Sequence, residues 1–258
     1  MMVSSHDDLR LSISICLGKV GVCDSSLFLE EVIKKLNNET ASFYFISVKE
    51  FLSIIYEGEH TIDKSLIKEI FAILSNNAIN TNDSIRSLCG ECLGMILSKQ
   101  EECFNDYIES LNSPNPLIRS TFLNGLKLIP ENTKIRSDYL ESITNCLFKG
   151  LSDSDLNCKK NAFNSLQNFA HNHPQLIRMR FGELFTIFNL EHKVNPSLID
   201  VVDIGGGMKI KTDKALPIRK SIYSSIKILL EKIPEKFNEN ETISMSLEGL
   251  SNLVVLFR

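Results

Sequence analysis

One short phrase recurs along this chain of 258 residues and limits what it can fold into. Asp83-Ser84-Ile85-Arg86 leads to Cys92-Leu93-Gly94, and Asp8-Leu9-Arg10 leads at the same offset to Cys16-Leu17-Gly18. Pro116-Leu117-Ile118-Arg119, Asp155-Leu156-Asn157-Cys158-Lys159-Lys160 and Leu216-Pro217-Ile218-Arg219-Lys220 are further copies. The shared grammar is a capping residue, an aliphatic residue and a basic residue, with a small or apolar residue three positions later. Between the basic residues the intervals are 76 (10 to 86), 33 (86 to 119), 40 (119 to 159) and 60 (159 to 219). The first interval holds two units, with a weaker copy near Ser42 to Glu50.

Apolar residues between the copies fall at helical spacing. Leu29, Val32, Ile33 and Leu36 form one stripe, Leu66, Ile70, Phe71 and Leu74 another, and Ile222, Ile226, Leu229 and Ile233 a third. Short polar joints separate the stripes, such as Asn37-Asn38-Glu39, Ser75-Asn76-Asn77, Ser113-Pro114-Asn115-Pro116 and Ser152-Asp153-Ser154-Asp155. Their side-chain oxygens can accept from the unpaired amides of the helix that follows. A period near 40 with two helices per unit is the signature of HEAT-type repeats, which bury their apolar faces only by stacking on neighbours. The expected fold is all-α: a HEAT-repeat superhelical solenoid (an α-α superhelix of armadillo type) of about five to six repeats, with one β-hairpin inserted near residues 198–213. The expected division is about four to five helix pairs over residues 1–190, then a last repeat over 191–258 that carries the hairpin. Arg86, Arg119 and Arg219, as a recurring polar position, are expected to bond a loop or acid of the neighbouring repeat.

The last interval exceeds the others by about twenty residues, and the period explains where they lie. From Ser197 to Asp213 the pattern changes from helical to alternating and β-branched residues cluster. Gly205-Gly206-Gly207 supplies a turn that takes positive φ without steric cost. Folding about Gly206 sets Ile204 opposite Met208, Asp203 opposite Lys209, Val202 opposite Ile210 and Val201 opposite Lys211. One face then carries Val202, Ile204, Met208 and Ile210, and the other the Asp203–Lys209 pair. A lone hairpin is barely stable in water, so the apolar face must lie on its own solenoid or on a partner. The candidate protein-binding residues are therefore Val201 through Lys211, and the alternative is a long packed connection between helices. Gly205-Gly206-Gly207 is not a nucleotide loop, since no Gly-Lys-Ser/Thr follows it.

Other chemistry finds little footing. With 32 acidic against 28 basic side chains, the net charge is −4, which argues against a nucleic-acid binder. No apolar run reaches a membrane span, and Asp7, Asp8 and Arg10 interrupt any signal-peptide core, so a soluble intracellular chain is expected. The 7 cysteines are read as reduced thiols. Cys89-Gly90-Glu91-Cys92 has the spacing of a redox or zinc pair, but it sits within a repeat helix without the further ligands that zinc needs, and core packing is its expected role. His171 and His173 lie before Pro174 at an expected helix end, where the helix dipole favours them. No catalytic site, cofactor site or metal site is expected.

These residues resemble a family. Cys89-Gly-Glu-Cys-Leu-Gly94, Leu151-Ser-Asp-Ser-Asp-Leu-Asn-Cys-Lys-Lys160, Ala170-His-Asn-His-Pro-Gln-Leu-Ile-Arg178 and the segment from Lys193 to Tyr223 are similar to the C-terminal part of the cullin-associated, neddylation-dissociated proteins, also described as TATA-binding-protein-interacting proteins. Leu198-Ile-Asp-Val-Val-Asp203 and Leu216-Pro-Ile-Arg-Lys220 bracket the hairpin much as in that family. The resemblance implies a non-enzymatic, monomeric scaffold of the cytoplasm and nucleus that binds neither nucleic acid nor membrane. It would bind unmodified cullin–RING ubiquitin ligases and promote exchange of their adaptor and substrate-receptor modules. The hairpin, Val201 through Lys211 here, would occupy part of the adaptor site on the cullin N-terminal region. At the tip this chain reads Gly-Gly-Gly-Met-Lys where the family pattern reads Gly-Pro-Phe-Lys, which keeps an apolar tip without the aromatic ring. Ser251 to Arg258 is an apolar stretch without a polar cap, as expected of a piece of a longer array. The rival readings are a HEAT scaffold of nuclear transport or of a phosphatase, and a thiol enzyme using Cys89 and Cys92.

Overall fold

The computed structural model describes residues 5–35, 41–58, 63–129, 135–203 and 209–256. Two compact units divide the chain, Met1–Leu140 and Glu141–Arg258. The division expected at residue 190 lies inside the second unit.

In the first unit the helices are α1 (Ser5–Gly21), α2 (Ser25–Ile33), α3 (Ala41–Glu57), α4 (Lys64–Asn76), α5 (Asp83–Lys99), α6 (Phe104–Leu111) and α7 (Pro116–Gly125). Helix α8 (Ser137–Leu151) contains the boundary. The second unit holds α9 (Leu156–Asn172), α10 (Pro174–Met179), α11 (Phe181–Glu191), β1 (Ile199–Asp203), β2 (Lys209–Asp213), α12 (Leu216–Lys232) and α13 (Glu239–Leu256). This is a helical repeat fold consistent with a HEAT solenoid, with one small hairpin. In the first unit α1, α3, α5 and α7 pack in succession, while α2, α4 and α6 flank them; in the second, α9 packs on α12.

The polar joints start helices as their chemistry dictates. Asp24, Asp63, Asn82, Asn115 and Asp155 each accept from an amide of the first turn at 2.8–3.0 Å, and Pro116 fills a first-turn position of α7, where a missing N–H costs nothing. The apolar stripes are buried: Leu29 and Val32 on α2, Ile70, Phe71 and Leu74 on α4, and Ile222, Ile226, Leu229 and Ile233 along α12 and its end. On α4 the fourth core position is Ile67 rather than Leu66, which stays half-buried. Leu36 lies outside the described residues.

The repeated Cys-Leu-Gly phrase has a steric cause. A Cβ on Gly18 would meet the Ser47 carbonyl of α3, and one on Gly94 the backbone of Gly125 on α7. Gly90, one turn earlier, faces the Thr121 carbonyl in the same way. At each of these positions the absence of a side chain lets consecutive row helices come into backbone contact.

Among the described residues, the recurring arginines reach the joint that links the preceding repeat to their own helix, each six residues back. Arg86 Nη1 donates to the Asn80 carbonyl at 2.5 Å and its Nη2 pairs with Asp83. Arg119 Nη1 donates to the Ser113 and Pro114 carbonyls at 2.9 and 3.0 Å. Arg219 Nη2 pairs with Asp213. The guanidinium fork suits this task because a helix start approached by a turn presents several acceptors within its span. Arg10 differs: it pairs with Asp7 at 3.6 Å and lies over the Phe43 ring.

Neighbouring helices are also tied by Glu91 of the Cys-Gly-Glu-Cys segment. Its carboxylate accepts from Lys49 of α3 at 2.6 Å and from Lys127, just after α7, at 3.0 Å. Burial pushes the Glu91 carboxyl up, but the two ammonium groups outweigh burial and hold it below the usual carboxylate range. Its folded pKa thus lies below its unfolded value, about 4.3. The stabilisation is complete above that value and is lost as pH falls through the folded pKa. Glu91→Gln should therefore lower the melting temperature at neutral pH, with the gap to the parent shrinking as pH falls to about 3. Melting curves across that range check it, and a gap independent of pH would contradict the assignment.

Candidate protein-binding site at the hairpin

The two strands pair antiparallel in the register expected from the residues, with Asp203 opposite Lys209, Val202 opposite Ile210 and Val201 opposite Lys211. The ladder continues to Asp200 opposite Thr212 and Ile199 opposite Asp213. Val201 is 57% exposed and Lys211 is exposed as well. Ile204, Gly205, Gly206, Gly207 and Met208 lie outside the described residues, so the expected Ile204–Met208 pair does too.

What the structure adds is the base. Asn195 caps a short 3₁₀ turn by accepting from the Ser197 amide at 3.0 Å, which delivers the chain into β1. Lys214 N–H donates to the Leu198 carbonyl at 3.0 Å and closes the hairpin one residue beyond the ladder. Lys214 Nζ also pairs with Asp200 at 2.8 Å on the surface, where an exposed pair adds little. The main anchor is Asp213. One oxygen accepts from the Ala215 amide at 2.8 Å, and the other pairs with Arg219 one turn into α12. The side chains of Arg219 and Asp213 are only 6% and 3% exposed. A buried pair of this kind tolerates loss of neither partner, because the survivor stays as an uncompensated charge. Asp213 is at once the last residue of β2 and the acceptor for the amide of Ala215, the residue just before α12. The strand is thus joined rigidly to a helix whose Ile218, Ile222, Ile226 and Leu229 are buried.

Sequence reasoning picked out Arg219 as a repeat residue but did not foresee Asp213 as its partner. The signal was available: an Asp six residues before a basic residue at a helix start, with the recurring arginines reaching back over that distance.

The other candidate sites resolve as packing. Cys89 and Cys92 on α5 are fully buried. Burial pushes the Cys89 thiol up to about 12 and Cys92 well above its ordinary value, the reverse of an activated nucleophile. Burial likewise raises Cys103 to about 11. Cys16 and Cys23 are the exposed thiols. Brief native-state alkylation should therefore label those two, and the other five only on unfolding; peptide mass spectrometry would show it, and early labelling of Cys89 or Cys92 would revive the thiol-enzyme reading. His173 closes α9, its amide donating to the Phe169 carbonyl at 2.8 Å, and Pro174 opens α10. Among the described residues no group of three or more His, Cys, Asp or Glu is placed to hold a metal ion. No described helix is long and apolar enough to cross a membrane.

Comparison with known proteins covers nearly the whole chain. Cullin-associated NEDD8-dissociated protein 1 of Dictyostelium discoideum is 29% identical over 256 residues, 96% of this chain and 20% of that protein. The protein of the same name from Arabidopsis thaliana is 24% identical over 93% of this chain and 20% of its own length. In Emericella nidulans, the protein described as cullin-associated NEDD8-dissociated protein 1, C-terminal part, is 24% identical over 96% of this chain and 24% of its own. The chain thus spans about a fifth to a quarter of the length of these relatives. Residues 176–253 match the family model described as TATA-binding protein interacting (TIP20), which encloses the hairpin, its Asp213–Arg219 anchor and most of α13. Over most of its length, then, this chain is similar to the cullin-associated NEDD8-dissociated proteins, consistent with the C-terminal region of that family.

Proposed function

We propose that this chain is a non-enzymatic scaffold that binds cullins in the cytoplasm and nucleus. In this reading it recognises cullin–RING ubiquitin ligases whose cullin carries no ubiquitin-like modifier, and promotes exchange of their adaptor and substrate-receptor modules. The finger from Val201 to Lys211 takes part of the adaptor site on the cullin N-terminal region, so chain and adaptor compete. The supporting observation is that the likeness to proteins named for cullin association runs through 96% of the chain and includes the hairpin segment. The finger reading is supported by the open strand edges of the pair, which a partner strand can extend. It is also supported by the burial of the anchor at the base, which keeps an otherwise marginal two-stranded element in place.

The test is capture of unmodified cullin by this chain and by a variant with Val202, Ile204, Met208 and Ile210 each replaced by Ser, both checked for helicity by circular dichroism. Capture by the parent and its loss in the variant is the expected result. Equal capture by both would keep the cullin reading and reduce the finger to a packed connection. Capture by neither would overturn the cullin reading for this chain and favour a scaffold of another system.

A further inference from the structure

Helix α1 lies bare along a side that its copy α5 buries. The two helices share the repeated phrase at an offset of 76 residues (10 to 86), so Arg10 matches Arg86 and Gly18 matches Gly94. Four apolar residues of the first copy, Leu9, Ile13 and Val20 on α1 and Leu27 in α2, are 56–60% exposed. Their matches, Ile85, Cys89, Ile96 and Cys103, are at most 7% exposed. Cys16 is likewise exposed where its match Cys92 is buried. The neighbours explain the difference. Helix α5 packs against α3 and α4 as well as α7, whereas α1 packs on α3 and, less extensively, on α2. Among the described residues nothing stands to α1 as α4 stands to α5. Helix α4 also reaches past α5 to the turn before α6, where Lys64 pairs with Glu102 at 2.5 Å, next to the buried Cys103. The matching ground in the first copy is an apolar groove of about 340 Å³, walled by Leu17 and Val20 of α1 and Leu27 and Phe28 of α2.

We infer that this groove is the seat of an amphipathic helix brought by a partner chain. The helix packs across α1 and the start of α2 as α4 packs across α5 and the turn before α6. Helix α4 defines the chemistry of the occupant. It buries Ile67, Ile70, Phe71 and Leu74 and leaves Lys64, Lys68 and Glu69 exposed. That spacing makes one apolar stripe along a helix, which suits the stripe of Leu9, Ile13 and Val20 along α1. Helical-repeat units bury such faces only against neighbouring units, and the bare side of α1 continues the row in which α3, α5 and α7 already pack. Contiguous apolar surface of this kind marks a protein contact. A second copy of this chain could not supply the helix, because its own α4 is already seated on α5. The inference does not depend on the cullin reading.

Cys16 reports occupancy, because a helix seated as α4 is would bury it as Cys92 is buried. Cys23 matches the exposed Lys99 and serves as the control. The probe is a peptide of this chain's own residues 63–79, which hold α4 and its following turn, added to the full chain. At about ten times its dissociation constant it should slow alkylation of Cys16 by iodoacetamide about tenfold and leave Cys23 unchanged. An isolated helix of that length forms poorly in water, so a second form of the experiment tethers it. Residues 63–82 are placed directly before Asp7, which reproduces the join of Asn82 to Asp83. Cys16 should then be protected without added peptide, and the melting temperature should rise. Ile13→Asp combined with Val20→Asp, at exposed positions that the fold does not need, should abolish protection in both forms. Leu11→Asp, on the opposite side of α1 where the copy has the exposed Ser87, should leave it unchanged. Protection in neither form, or protection that survives the Ile13→Asp, Val20→Asp change, would overturn the assignment. Protection of Cys16 on concentrating the chain alone, with a doubled mass, would overturn it in favour of a second copy.

Discussion

Valine in place of Gly94 should lower the melting temperature by about 10 °C, the largest effect expected of any single substitution on the row of helices. A Cβ there meets the backbone of Gly125, which cannot swing aside as a side chain would. The two helices must separate, and contacts along α5 and α7 loosen together. Overpacking of this kind costs about 3 kcal/mol, and in a chain of this size each kcal/mol is worth about 2–4 °C. Gly182 supplies the internal control. Nothing lies within 4 Å of its added Cβ, so Gly182→Ala, near the start of α11, should raise stability by about 0.5–1 kcal/mol. Circular-dichroism melts of both variants decide the matter. Equal and small changes would mean that the close approach of α5 and α7 is not a feature of the folded chain.

Removing Asp213 should be at least as damaging, but locally. Asp213→Ala leaves Arg219 buried without its partner and takes the acceptor from the Ala215 amide. Losing one member of a buried pair costs about 3–5 kcal/mol. Most of that should appear as opening of the hairpin base, visible as faster hydrogen exchange and earlier proteolysis between residues 195 and 215. Because much of the penalty is an orphaned charge, Asp213→Ala combined with Arg219→Met should cost clearly less than the sum of the two single changes. Strict additivity in that cycle would show that the two side chains do not act as a pair. In the cullin-capture assay, either single variant should bind more weakly than the parent.

How far the residues alone disclosed this molecule varies with the physics involved. Helix stripes and joints were legible because they depend on local periodicity and capping, as at Asn115-Pro116 and Asp155. The hairpin register was legible because a two-residue period and a glycine turn leave few ways to pair Asp203 with Lys209. Arg86, Arg119 and Arg219 each reach six residues back, to a specific acceptor that the repeat grammar did not name. Glu91 also went unforeseen, a lone acid that ties α3 to the end of α7 through Lys49 and Lys127, 42 and 36 residues away in sequence. Pairings at that distance leave no local pattern. The Cys-Leu-Gly phrase was noticed without its reason, because only a neighbouring backbone reveals what a glycine makes room for.

The welded base of the hairpin carries a mechanical consequence. Each strand has five residues and rises about 3.3 Å per residue, giving an arm about 16 Å long. Swinging such an arm by about 10° at its root carries the far end through about 3 Å, comparable to the length of a hydrogen bond. A surface tie such as Lys214–Asp200, half-exposed and free to rearrange, could not hold that angle. The carboxylate of Asp213, shared between a helix-starting amide and a buried guanidinium, leaves the root almost no freedom to pivot. The direction of the strand pair is thus set at its base, so an alteration at residue 213 or 219 would reorient β1 and β2 without changing any residue between them.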